Sequence, residues 1–589
     1  MVFLFQCAIG PVQDFIATAR RSRDLWYGSW MLSELSKAAA QALAVEAGIH
    51  NLIFPAPQDI NELSPDTDLN VANRVVAVVQ GDPVTIGEKT VQEAIAQRLK
   101  ALQQEALSKV RGGYDNGLAT RQLADLVEYY WVCAPMQPDG YASARVQADA
   151  LLAARKTTRN FSQAVGKARP KSSLDGARES VIQESAYPDR KDSSAEQKRK
   201  TRLLYQRYGA RRGERLSAVD LLKRHGKRGG AAEQKFKSTS HMAALPFLAM
   251  IDREKGAGQG DALLAGIMDV LRKAGLEPHG EDMDGSLLFA SRLREWTPDD
   301  DTLDQAEAAW SACIEKYAGK RRPEPYYALL RADGDFMGRT IDAQNDPARH
   351  RELLQALSRF ALAAKAIVVE HDGVPVYTGG DDVLAYLPLH TALTCIHTLD
   401  KRFTATMSAL DLNVAPPTLS AGLVVTHHLA PLSDALELAK QAEQRAKSLD
   451  GKHGLAITLS KRSGADRTIV APLEQLTTRM DRMIAFTRAG AISKGAAYDL
   501  QELHRVLGES SIPPAGLAGE ALRIVARKRE SGGAEEIGND VKQAFDNWLL
   551  TDSISVHELA QELIVAAAFA GATDLAEGSP TDSLQEVLP

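Results

Sequence analysis

An α+β multidomain fold is what this sequence predicts, and three observations carry the prediction. At 589 residues the chain exceeds what one hydrophobic core serves, and at roughly 100–200 residues per domain it divides into about three to five. Tyr326 to Ser460 alternates strand-length apolar runs with helical patterns in the order β-α-β-β-α-β-α-β, a ferredoxin-like palm arrangement with one further α-β unit. The first residues begin a second α/β unit: an apolar run, a Gly-Pro break, a long helical pattern and another strand.

Taken in order, Val2 to Ala8 is a strand that ends at Gly10-Pro11. Proline suits a first helical turn, so a helix is expected to start there and run through GPVQDFIATARRSRDLWYGSWMLSELSKAAAQALAVEA. Arg74 to Gln80, RVVAVVQ, is a second strand. Arg155 to Arg202 is polar, basic and poor in large apolar residues, which predicts a flexible or inserted segment. Helical patterns resume at Arg215 to Arg224 and at Met242 to Ile251. YYALLRAD is a strand ending in Asp333, and Arg351 to Glu370 places Leu353, Leu354, Leu357 and Phe360 on one helical face. VPVYT and VLAYLP flank the turn GGDD as an antiparallel hairpin. A helix over Leu393 to Leu410, the strand TLSAGLVVT, a helix over Ser433 to Ser448 and the strand GLAITLS complete the palm. Glu535 to Ala570 is helical again, and the closing GATDLAEGSPTDSLQEVLP is expected to be a disordered tail.

Composition excludes several classes. An apolar fraction of 44% and a charged fraction of 25% exclude global disorder. A net charge of −6 excludes a uniformly basic nucleic-acid binder, but the charge is uneven: 21 Lys and Arg stand against 8 Asp and Glu between Leu151 and Gly230. Cys7, Cys133, Cys313 and Cys395 are far apart, which argues against a disulfide framework and a four-cysteine zinc site. The opening MVFLFQCAIG lacks a basic leader and a cleavage site. The apolar run Leu563 to Ala572 is far short of the roughly 20 residues of a spanning helix. A cytoplasmic protein with no membrane partner is expected.

The chemistry is expected where three acids meet. Asp333 ends one palm strand, and Asp381 and Asp382 follow Gly379-Gly380 in the hairpin turn. Hard carboxylate oxygens suit two Mg²⁺ or Mn²⁺ ions, which activate a hydroxyl and stabilise a leaving pyrophosphate. Glycines in the turn admit a triphosphate close to the backbone. The N–H groups of Phe336, Met337 and Gly338 are candidates to cradle its phosphates, and Lys447 and Lys452 to neutralise them. Asp335 is expected to cap the segment that follows it. His371-Asp372 lacks metal-ligand partners at helical spacing and reads as a loop, and His427-His428 reads as strand-end surface.

VYTGGDDVLAYLP and LLRADGDFMGRTID resemble the palm domain of the large subunit of type III-B CRISPR effector complexes, the Cmr complexes. The opening FQCAIGPVQDFIATARRSRDLWYGSWMLSELS resembles that subunit's first, degenerate palm. The resemblance implies two ferredoxin-like palm domains with helical domains between and after them. The expected division is a first palm at 1–150, a basic insertion at 151–235, a thumb-like helical domain at 236–320, the GGDD palm at 321–465 and a C-terminal helical domain at 466–589. It implies ATP as substrate, cyclic oligoadenylate as product, and the other Cmr subunits, guide RNA and target RNA as partners. Lys447 resembles the lysine of an A-K motif shared with diguanylate cyclases. Two departures stand out. The chain starts at the first palm strand without an HD nuclease domain, so DNA cleavage is not expected. Where members carry a zinc site, this chain has Ser172, Asp175 and Ser217, so no zinc is expected. The basic strip, with Arg211, Arg212, Lys223 and Arg224, is expected to meet an RNA backbone or an acidic neighbouring subunit. Two rival readings are a diguanylate-cyclase-like enzyme using GTP and a scaffold that binds nucleotide without catalysis.

Overall fold

The computed structural model describes residues 1–138, 140–158, 169–227, 237–276, 284–296, 300–493, 495–507, 512–527, 539–552 and 554–579. Two sheets organise it, one of four strands and one of six.

The first comprises β1 (Val2–Gly10), helix α1 (Ser22–Ala47), β2 (Leu52–Phe54), β3 (Arg74–Gln80), helix α2 (Gln92–Ser108) and β4 (Glu128–Pro135). β1 pairs antiparallel with β3 and β4, and β2 edges β3, in the order β2-β3-β1-β4. This is a complete β-α-β-β-α-β palm, followed by helix α3 (Tyr141–Thr157). The helix expected from Pro11 is broken in two. A short helix spans Gln13–Ala17, and α1 begins only at Ser22. The interruption lets Arg23 donate to the carbonyls of Arg224 and Gly226, so the break anchors a distant segment.

The second sheet comprises β5 (Tyr326–Gly334), helix α4 (Pro347–Glu370), β6 (Val374–Gly379), β7 (Asp382–Leu387), helix α5 (Leu389–Ser408), β8 (Leu419–His427), helix α6 (Leu432–Lys447), β9 (Gly454–Ser460) and β10 (Arg467–Pro472). Its order, β6-β7-β5-β8-β9-β10, repeats the first palm's connectivity and extends it by two strands. β8 and β9 run parallel, which the intervening α6 makes possible, and β10 folds back antiparallel on β9. The sheet therefore continues past 465, where the sequence placed its end. α4 starts earlier than Arg351 because Asp346 caps the N–H groups of Ala348 and Arg349 at 2.9 Å, with Pro347 in the first turn.

Both faces of this sheet are buried, which explains its unbroken apolar strands. Ala328, Leu330 and Ala332 of β5 join the core under α4 and α5. Tyr327 and Leu329 point the other way, into the helical domain of Thr239–Lys255, Gln259–Lys273 and Asp300–Ala318. The C-terminal helices extend the first of these cores. Val556–Glu577 is the one helix among the described residues long and apolar enough to cross a membrane, yet 67% of its apolar window is buried in the protein. It is capped by a Ser555–Glu558 box and runs through Gly571–Glu577, part of the expected tail. The last ten residues of that tail lie outside the described residues.

The two palms meet reciprocally: α1 packs on β6, and α4 packs on β2. Arg351 of α4 donates to the carbonyls of Ile49, Leu52 and Pro57. Arg145 of α3 donates to the carbonyls of Ile341, Asp342 and Gln344.

The segment expected to be flexible is mostly packed. Residues 159–168 lie outside the described ones, but 169–227 fold onto the first palm with helices Ser194–Tyr208 and Ala218–His225. Ser172 and Ser217 both donate to the buried Asp220 carboxylate at 2.7 Å, and Asp175 caps the turn through the N–H groups of Ala177 and Arg178.

Candidate active site

The site is built at one end of β5. The ladder with β7 ends at Ala332↔Val383, so Asp333 and the β6–β7 turn lie side by side. Gly379 still pairs with Asp382, while Gly380 turns the chain at φ +69°, a conformation that L side chains rarely adopt. Asp381 is thereby aimed at the end of β5. A Cβ added to Gly334 would sit 2.7 Å from its Oδ2, so only glycine lets the carboxylate come this close.

Burial raises both hairpin acids. Burial pushes Asp381 up to about 6, although backbone N–H groups favour its charged form. Burial and then the Asp381 charge raise Asp382, against the pull of Arg331. Crowded carboxylates held above their usual range form a donor set that a divalent cation relieves, and hard oxygens suit Mg²⁺ or Mn²⁺. By that chemistry the residues fit the ions. Among the described residues, however, no three acidic, histidine or cysteine side chains already converge on one centre. Asp333 is engaged by a cation instead: its Oδ2 accepts from the Lys447 ammonium.

Lys447 belongs to a chain of alternating charge. Glu443, one helical turn earlier, reaches Lys447 at 3.3 Å and the Arg331 Nε at 2.5 Å. Burial, then Lys452 and Arg331, push the Lys447 amine down to about 8. Lys452 lies over the Phe336 ring at 4.5 Å, with Arg339 over it at 4.7 Å. Phe336 takes φ +58° at the start of the short helix Met337–Asp342, which holds Met337 and Gly338.

Asp335 caps nothing. It is fully buried and accepts from Thr418 Oγ1, Ser420 Oγ and the His453 N–H at 2.8–3.0 Å, tying the ends of β5, β8 and the α6–β9 turn together. The first palm contributes Asn70, which donates to the carbonyl and hydroxyl of Thr378 on β6. Arg331 and Glu443 were legible in the sequence, two residues before Asp333 on a strand and four before Lys447 on a helix. Asn70 had no local signal.

The other candidates separate from this site. His371 closes a turn onto the Ile367 carbonyl, as a loop residue does. His428 is not surface: it is 5% exposed and stacks on Phe289. Of the four basic residues assigned to RNA, two are structural. Lys223 is buried and donates to the carbonyls of Phe15 and Thr18; Arg224 is buried between Asp24 and Glu214. Lys223 anchors the segment before α1 and Arg224 anchors α1 itself, so neither faces solvent. Arg211 pairs with Glu295 at 2.8 Å, and Arg212 is exposed.

Comparison with known proteins agrees with this architecture. Residues 326–456 match the family model described as Cas10/Cmr2, second palm domain, and residues 4–108 match that of CRISPR-associated protein Cmr2, N-terminal. The Cmr subunit Cmr2 of Pyrococcus furiosus is 35% identical over 169 residues, a match covering 24% of this chain and only 19% of that protein. A type III-B Cmr-beta structure in the apo state shares the fold with a TM-score of 0.64 at 14% identity, over 97% of this chain and 82% of that one. The Cmr-beta structure bound to cognate target RNA has the same TM-score and identity, over 97% of this chain and 83% of the other.

Proposed function

We propose that this chain, a relative of the Cas10/Cmr2 large subunits, joins ATP into cyclic oligoadenylate at the β5–hairpin site when its complex holds target RNA. The observation that carries this reading is the placement of Asp333, Asp381, Asp382 and Lys447 at one sheet end inside the matched palm segment. Bound by the three acids, two Mg²⁺ or Mn²⁺ ions supply the charge that a nucleotidyl transfer needs at the attacking and leaving oxygens.

The chain's own residues do the rest. A 3′-hydroxyl forms a bond to the α-phosphorus of ATP and loses its proton to solvent, the bond to the bridging oxygen breaks, and its electron pair leaves with pyrophosphate. Lys447 and Lys452 neutralise the triphosphate, and the N–H groups of Phe336, Met337 and Gly338 cradle its phosphates. Gly380 and Gly334 keep the approach open. Glu443, itself paired with Arg331, holds Lys447 in place, and Asp335 fixes the three backbone segments around it. Partner subunits and guide RNA complete the proposed assembly, in keeping with the target RNA held by the similar Cmr-beta structure.

The test is mass spectrometry of products made by the assembled complex from ATP with Mg²⁺ or Mn²⁺, with and without matched target RNA. Cyclic adenylates formed only with target RNA are expected. Product from GTP alone would make the site a guanylate cyclase, and no product from either nucleotide would leave it a scaffold.

A further inference from the structure

The far end of the same strand pair holds a second constellation. Tyr326↔His427 is the first rung of the β5–β8 ladder and Asp333↔Ser420 lies seven residues on, roughly 23 Å away at about 3.3 Å per residue. A cleft of about 250 Å³ opens there, with Trp310, Arg322, His427, His428 and Arg462 in its walls. The Phe289, His428 and His427 rings form a continuous stack, with centroid separations of 4.1 and 4.7 Å.

Its polar groups are set to donate. His427 Nδ1 accepts the Leu429 N–H at 3.1 Å, which leaves Nε2 as the protonated nitrogen of the neutral ring. His428 Nδ1 and Ser240 Oγ share a hydrogen bond at 2.8 Å in which either group can be the donor. Arg322 is pinned by the carbonyls of Gly319 and Arg321, by Ser311 Oγ and by the Glu315 carboxylate at 3.3 Å, so it stands in the cleft wall already paired. Arg462, exposed on the β9–β10 turn, makes no hydrogen bond or ion pair among the described residues. No carboxylate is among the described residues lining the cleft. The field there is positive. Burial, and then His427, Arg292 and Arg462, push His428 down to about 3, and burial and Arg462 lower His427 as well.

We infer that this cleft binds a phosphate group, held by Arg462 and the His427 Nε2 donor, with Arg322 and His428 in its walls. Guanidinium groups and neutral imidazole donors suit an oxyanion with several acceptor oxygens. The volume sets the size of the guest: 250 Å³ falls below the roughly 300–1,000 Å³ of clefts that enclose whole small molecules. The cleft takes the phosphate and its adjoining atoms, as the end of a nucleotide or as one phosphodiester of a single-stranded RNA. It is separate from the acids and independent of the reaction proposed for them.

The test uses the full chain in excess chelator, so that the acidic site is silent. Calorimetric titration with inorganic phosphate, AMP and a short mixed-sequence RNA compares wild type with Arg462→Glu, Arg462→Lys and His427→Ala. Circular dichroism confirms that each variant is folded. Wild type is expected to bind at least one probe. Arg462→Glu and His427→Ala are each expected to weaken it about tenfold or more, while Arg462→Lys, which keeps the charge, retains most of it. Loss of AMP and phosphate binding identifies a small phosphorylated ligand, and loss of RNA binding alone identifies a backbone contact. Unchanged affinity in Arg462→Glu and His427→Ala, or no binding of any probe by wild type, overturns the assignment.

Discussion

The two palms share one connectivity and differ at one corner. In both, the central strand is flanked by the third and fourth strands, and a first helix packs on the other palm. In the second palm the central strand ends in Asp333-Gly334 and the adjoining hairpin turns through Gly380 and Asp381. In the first, the central strand ends at Gly10-Pro11, and β2 and β3 are joined by the long stretch from 55 to 73. Within that stretch Asp66 is paired with Arg98 and Lys227. The stretch reaches across: Asn70 bonds Thr378, and Asp68 pairs with Lys365 at 2.6 Å. The comparison teaches that topology and chemistry are set by different residues. Alternating apolar strands keep the fold, while a few residues at one sheet corner decide whether it holds charge or braces a neighbour.

The sharpest way to break the comparison is at the acids. Asp381→Ala with Asp382→Ala is expected to cut product formation from labelled ATP by about 10³-fold or more, since metal and charge stabilisation contribute several kcal/mol. Assembly with partners should survive. Full activity in that variant would show the two corners to be equally inert.

Next is the segment braced on the first palm. Asp220 accepts from two serines and a backbone N–H while buried. Asp220→Ala should cost about 2–4 kcal/mol in denaturant unfolding, because it orphans several buried donors. Elemental analysis of wild type should find no stoichiometric zinc, as serines and a carboxylate occupy this crossing. One tightly held zinc per chain would refute that role.

Lys447→Met should lower turnover by on the order of 10–100-fold, the loss of one charge-assisted contact worth about 1.5–3 kcal/mol. Its effect should appear in nucleotide affinity as well as rate. A change confined to thermal stability would reduce Lys447 to a structural partner of Asp333.

Asp381→Asn should do the opposite of a usual core change and stabilise the metal-free protein, by on the order of 1 kcal/mol after allowing for solvent screening. The sign follows from a folded pKa raised from 3.8 to about 6. The cost of the charge is absent below the unfolded value, grows as pH rises between the two, and is complete above about 6. At pH 7 the variant should unfold at higher denaturant than wild type; near pH 3.5 the two should coincide. A less stable variant at pH 7 would mean the acid is well solvated.

The smallest effect is expected at the bridge between palms. Asn70→Ala removes two hydrogen bonds to Thr378 and should cost about 1 kcal/mol or less, with a several-fold loss of turnover. A turnover indistinguishable from wild type would show that the first palm's long connection does not support the hairpin.

What the sequence determined by itself was local and periodic. The second palm's strands and helices, the hairpin and the place of Asp333, Asp381 and Asp382 followed from runs of two- and 3.6-residue period and from turn glycines, because those signals reside in consecutive residues. Edge elements were harder to read. β4 and β10 went unassigned, because their half-exposed patterns, EYYWVCAP and RTIVAP, carry little alternation. Tertiary structure alone decided the fate of charge. Lys223 and Arg224 look like surface cations and are buried, because carbonyls and acids about 200 residues away receive them. His428 looks like a strand-end surface residue and is buried, because Ser240 and Phe289 arrive from another domain. A charged or polar side chain is buried only where distant partners offset its desolvation, and no window of sequence contains both halves of such a pair.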